Sequence, residues 1–200
     1  MTEHWYPLHV IDHGFAVLDH GDLPMTPGGW SNGLVRALPA GALIYTGISQ
    51  GYVRVHAATT PDEPAVPAET SWEEIVDISV TAPRGGLRVD SHEHGAPAAL
   101  PLLSTQGPGT YRLRVHARGR DRHYDQVHTD PGEDYLILCW PSPWASESVI
   151  RATDDCGRQL RQTTPPPTPA TPPSTAGQDV VEANHQAILK LIAESHRPSQ

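Results

Sequence analysis

Lysine is nearly missing from this chain: of 14 basic residues, Lys190 is the single lysine and the rest are arginine. Alanine, proline and glycine are abundant, so this reads as a coding bias and arginine in place of lysine carries no functional message. Positive charge is short overall. The 23 acidic residues leave a formal net charge of −9, which argues against non-specific binding of nucleic acid or anionic lipid by the whole chain. Cysteine is scarce too. Cys139 falls in an apolar strand pattern and Cys156 in a polar segment, so the two are read as separate thiols rather than a disulfide framework. No run approaches the roughly 18 apolar residues of a membrane span. The start, Met1 to Pro7, lacks a basic region followed by an apolar stretch, which predicts a cytoplasmic chain without a signal peptide.

Catalytic signatures are also missing. There is no Gly-x-Ser-x-Gly elbow and no phosphate-cradling glycine loop, and Cys139 alternates into an apolar strand. Asp154 and Asp155 are adjacent acids, but sequence neighbours need not face the same way. The expectation is a non-enzymatic chain with no cofactor.

What the chain has in quantity is punctuation. The chain has 21 prolines and 17 glycines, and most of them cut the first 145 residues into short segments, with turn signals near every ~10 residues. The central segment, Tyr111 to Arg120, alternates strictly. Tyr111, Leu113, Val115 and Ala117 share one face of a strand, and Arg112, Arg114, His116 and Arg118 share the other. Tyr135–Trp140 is expected to pair with it. A first strand is expected over 8–18, bulged at Gly14, and a hairpin over 42–46 and 52–57. Strands over 72–80 and 87–90 follow. The fold class predicted is all-β: a two-layer antiparallel β-sandwich, jelly-roll-like, over 1–150. A Pro/Thr-rich linker over 151–177 and an amphipathic C-terminal helix over 178–196 complete the chain, the helix being a candidate for self-association.

Candidate surfaces follow from charge. Arg112, Arg114 and Arg118, with Arg54 nearby if the strands pair, make a basic face suited to carboxylates or phosphates. The bland alternative is a solvated sheet face charged against aggregation. The loop 120–125 mixes signs, which suits internal pairing. Among 12 histidines, His92 and His94 would share a strand face and are the weak metal candidates. A Glu shortly after them and a second histidine motif, which a cupin metal site needs, are both missing. A scattered site using His116, His123 or His128 stays open. Five tryptophans could stack sugars or plug the ends of a core.

Residues 9–143 resemble the competence protein J family, small cytosolic β-sandwiches that inhibit a DNA-entry nuclease. The likeness runs from Phe15-Ala-Val-Leu through Pro24, Trp30, Gly41-Ala-Leu-Ile, Val53-Arg-Val, Trp72 and Val76–Val80. It ends with Gly86-Leu-Arg-Val, Leu102-Leu103 and Gly109-Thr-Tyr-Arg-Leu-Arg-Val. The histidine-rich loop 91–95, the arginines of 118–122 and the tail depart from it. The resemblance implies a protein-binding module of the inhibitor or immunity type, with a nuclease or toxin as partner and no catalytic residues. A nuclease groove is basic, so the acids Asp62, Glu63, Glu69, Glu73, Glu74, Glu133 and Asp134 are the expected partner-facing residues. The alternative from another class is a small-molecule, sugar or metal-binding jelly-roll protein, conceivably a metal-dependent enzyme.

Overall fold

In a computed structural model the described residues are 5–21, 28–66 and 71–163. The expected helix over 178–196 and the linker beyond 163, with Pro24 and Glu69, lie outside them.

Two sheets face each other across one apolar core. The larger joins β1 (Tyr6–Val10), β5 (Gln50–Thr59), β10 (Asp134–Pro141), β8 (Gly109–Arg118), β6 (Glu74–Ala82) and β11 (Ser148–Ala152), in that order. A short strand, β9 (Val127–His128), adds to β5. The smaller runs β3 (Val35–Leu38), β4 (Gly41–Tyr45), β2 (Gly14–Asp19), β7 (Leu87–Asp90). The all-β sandwich is therefore the fold. Its pairing is antiparallel except that β10 and β9 both run parallel to β5.

Alternation sets which side chains fill the core. Tyr111, Leu113, Val115 and Ala117 of β8, with Tyr135, Ile137 and Cys139 of β10, meet Phe15, Val17 and Ile44 of the opposite sheet, all essentially buried. The predicted pairing of β8 with β10 holds, with Ile137 opposite Val115.

Two expectations about connections change. The single strand over 8–18 is two strands in different sheets, separated by a tight corner at Asp12 and His13 (φ 52° and 57°). Consecutive left-handed residues turn a chain sharply, as in the mirror-image turns of hairpins. The segments over 42–46 and 52–57 do not form a hairpin: β4 lies in the small sheet and β5 in the large one.

The segment expected to begin a linker at 151 is ordered into the domain. Strand β11 pairs with β6 from Ser148 to Ala152, and α1 (Asp155–Thr163) follows. Asp154 caps this helix, accepting the Gly157 N–H at 2.7 Å on Oδ1. Asp121 accepts the N–H groups of Asp155 and Cys156, both at 2.9 Å. Both cysteines are free thiols, as expected, and both are buried, Cys156 included despite its polar segment.

Candidate functional site

The arginine stripe of β8 shares one face, but that face is covered. Arg112 is 7% exposed and Arg114 1%. Arg114 makes a two-pronged pair with Asp77 (2.8 Å each), binds Glu63 at 2.9 Å and donates to the Pro64 carbonyl. Arg112 donates to the carbonyls of Ala145 and Ser146, at 2.9 and 3.0 Å. Residues 60–66 and 141–147 therefore lie over the stripe as a lid. Arg54 and Arg118 converge on Asp134, at 2.5 and 2.7 Å, and stack on Trp5 and Trp72. Arg112 and Arg114 are thus internal; Arg54 and Arg118 are half-committed to the same carboxylate. Desolvation pushes His116, also in this layer, down to about 4.

The acids expected to face a partner separate into two groups. Asp62 and Glu63 are exposed, Glu63 while paired with Arg114. Glu73 is half-buried and accepts the Gly119 N–H at 2.7 Å. Glu74, Glu133 and Asp134 are 0, 1 and 4% exposed, so they serve the interior instead of a partner. Glu133 accepts the N–H groups of Gly47 and Ile48 and the Tyr135 hydroxyl, at 3.0, 2.7 and 2.5 Å. Glu74 pairs with Arg161 of α1 at 2.8 Å, yet burial pushes its carboxyl up to about 7.

These acids belong to a buried polar network at one end of the sandwich. At its centre Arg120, fully buried, makes a fork to both Asp154 oxygens (2.7 and 2.8 Å) and donates to the carbonyls of Gly33 and Tyr45. Mixed signs over 120–125 suggested pairing inside that loop; Arg120 instead reaches across the chain. No sequence signal marks Arg120 from the exposed Arg122 two residues on.

Over this network sits a surface that local sequence reading missed. The corner Asp12–His13, the loop 46–49 and the segment 119–128 are stitched by backbone bonds, among them Thr46 N–H to His13 O (2.9 Å), Asp125 N–H to Gly47 O (2.8 Å) and Ser49 N–H to Gln126 O (3.0 Å). They approach so closely that a Cβ on Gly47 would lie 1.9 Å from the Arg120 carbonyl, and one on Gly51 1.8 Å from that of His128. Across the surface runs an aromatic ladder. Trp30 meets Tyr45 edge-on at 5.1 Å, Tyr45 stacks on His13 at 5.1 Å, and His13 meets Tyr124 at 6.1 Å. His13 Nε2 lies 3.0 Å from Asp125 Oδ1. Of four non-glycine residues with positive φ among the described ones, Asp12, His13 and Asp125 all lie here. Strain of this kind collects where a surface is shaped for use. Tyr124 is 38% and Val127 69% exposed, and the same segment carries the exposed Asp121, Asp125 and Asp130 with one exposed arginine, Arg122.

The histidine pair suggested by alternation is not a pair. Residues 91–95 form a closed loop, not a strand, so His92 and His94 point apart. His92 lies beside Asp90 and Asp12, while His94 comes within 5.0 Å of the His9 ring on β1.

No protein-family model matches this sequence, and no curated protein does. Two solved structures are similar to the chain at low identity. A protein described as "Crocagin biosynthetic gene J" is 18% identical, with 72% of this chain and 100% of that one covered and a TM-score of 0.45. ComJ from Bacillus subtilis, an inhibitor of the DNA-degrading activity of NucA, is 13% identical, with 70% of this chain and 96% of that one covered and a TM-score of 0.47. The chain thus resembles, over about seven-tenths of its length, the competence protein J sandwich that its strand-and-turn order suggested.

Proposed function

We propose that this chain is a non-catalytic protein-binding module of the inhibitor or immunity type, and that its aromatic end is the contact surface. One observation carries the reading: Tyr124 and Val127 stand exposed on a braced, left-handed framework, backed by the ladder Trp30–Tyr45–His13. Rigid aromatic side chains bury much area at little entropic cost, and they dominate the central contacts of protein interfaces. Bracing from the Arg120 network beneath keeps that surface in its bound shape.

The exposed aspartates of the 121–130 segment and the net charge of −9 favour a cationic partner. An enzyme that degrades DNA has such a face, because its groove must hold phosphates. The buried acids Glu74, Glu133 and Asp134 take no part in the contact; Asp62 and Glu63 contribute to long-range attraction.

Capture from a lysate of the source organism tests this, followed by assay of the retained protein for DNA degradation. The reading expects one stoichiometric partner whose nuclease activity falls when excess chain is added back. A retained protein that degrades DNA equally well with the chain bound contradicts the inhibitor role.

A further inference from the structure

The open edge between the two sheets carries a second constellation. His9 lies on β1, at the edge of the large sheet; Glu93 and His94 lie in the loop that follows β7, at the edge of the small one. His9 Nδ1 is 3.1 Å from Glu93 Oε2, and His94 Nε2 is 3.9 Å from the same oxygen. One donor atom from each of the three falls within 4.8 Å of the others, the one such cluster of three or more among the described residues. From this arrangement we infer that His9, Glu93 and His94 bind a divalent transition-metal ion, zinc foremost, which clasps the edge of the sandwich.

Three further features support it. His9 Nδ1 is buried and close to Glu93, yet has no hydrogen-bond partner among the described residues. A buried ring nitrogen that faces a carboxylate at 3.1 Å without a well-formed hydrogen bond is placed to share a metal ion with it. The loop is also held in place. Ser91 and Gly95 exchange both backbone hydrogen bonds (3.1 and 2.8 Å), and the Ser91 hydroxyl donates to the His9 carbonyl at 2.8 Å. The loop is thereby tied to the strand that supplies the first ligand. Thirdly, a cavity of about 200 Å³ opens beside the cluster, lined by Tyr6, Tyr52, Ser91 and Pro97 among others. It leaves room for a water or a small anion as fourth ligand.

The donor set selects the metal. Two imidazoles and one carboxylate suit zinc and its neighbours and are a poor match for calcium or magnesium, which take mostly oxygen. Bonds of about 2.0–2.2 Å to a tetrahedral ion place donors about 3.3–3.6 Å apart. Glu93 and His94, 52% and 61% exposed, are free to make that small adjustment. His92 takes no part, because it lies on the other side of the loop.

Titrating ZnCl₂ into the full-length, untagged chain by calorimetry, with metal analysis after dialysis, tests the inference. One ion per chain is expected, with affinity lowered at least tenfold in His9→Ala and in His94→Ala, and unchanged in a His123→Ala/His128→Ala control whose rings stack at 3.7 Å elsewhere. Zinc should raise the Tm of the wild type but not of His94→Ala, and cobalt should give the strong visible bands of four-coordination. Since His94 is exposed, its loss leaves the fold intact, which far-ultraviolet circular dichroism verifies. Absence of saturable binding, or loss of binding in the His123/His128 control rather than in His94→Ala, would overturn the site.

Discussion

At the scale of single residues, buried charge decides more than surface charge. Arg120 satisfies Asp154 and the carbonyls of Gly33 and Tyr45 at once, with no exposure to water. Arg120→Ala would strand the Asp154 carboxylate in the interior, and breaking a buried pair in this way costs about 3–5 kcal/mol. Urea unfolding should show that loss, whereas Arg122→Ala, two residues away and exposed, should shift the midpoint very little. Two other buried groups act on pH dependence in opposite senses. His116, pushed down to about 4 by desolvation from its usual 6.5, binds fewer protons folded than unfolded in that window. Acidification from 6.5 to 4 therefore destabilises the fold, by on the order of 3 kcal/mol from this residue. Glu74, pushed up to about 7 from 4.5, again chiefly by desolvation, binds more protons folded than unfolded. Its contribution is present below 4.5 and is lost as pH rises to 7. The two effects offset each other in the wild type. Measured against it, His116→Gln should gain stability as pH falls from 6.5 to 4, and Glu74→Gln as pH rises from 4.5 to 7. Parallel stability–pH curves for all three proteins would contradict the assignment.

At the scale of elements, the sequence made some features legible and concealed others for physical reasons. The alternation of β8 and its pairing with β10 were readable, because a two-residue period is a local property. That the arginine face is covered was not, since the cover comes from residues 60–66 and 141–147, far away in sequence. A clue was present: Ile75, Leu136, Leu138 and Trp140 share that face through their register with His116, Arg114 and Arg112. Apolar residues on a supposedly solvated face argue for a lid. The tight corner at Asp12–His13 was invisible because neither is glycine, and left-handed backbone there is imposed by long-range contacts. Glu74, Glu133 and Asp134 read as surface acids because their partners Arg161, Gly47, Ile48, Arg54 and Arg118 come from elsewhere in the chain. The ordered continuation beyond 151, above all α1, was hidden by its polarity. Its role in supplying Asp154 and Arg161 predicts a sharp boundary. A chain ending at 163 should melt like the full-length protein. One ending at 153 should lose several °C or fail to fold, since Arg120 and Glu74 would be left buried without their charged partners. Equal melting of the two truncations would contradict a stabilising role for Asp154 and α1.

At the scale of the whole molecule, the sandwich is a frame whose ends and edges differ. One end is aromatic and braced; one edge carries the histidine cluster; Arg112 and Arg114 of the basic strand are sealed inside. The buried arginines are matched by buried acids such as Asp77 and Asp154, so the net charge of −9 stays with the rest of the chain and favours rapid, salt-sensitive association with a cationic partner. The most direct test compares two variants, Tyr124→Ala/Val127→Ser at the aromatic end and Asp62→Asn/Glu63→Gln on the lid, in binding to the protein captured by the wild-type chain. Surface plasmon resonance at low and moderate salt provides the rates. The account predicts that the first variant dissociates at least tenfold faster at either salt, while the second mainly slows association at low salt. Unchanged dissociation of Tyr124→Ala/Val127→Ser would contradict the placement of the contact at the aromatic end.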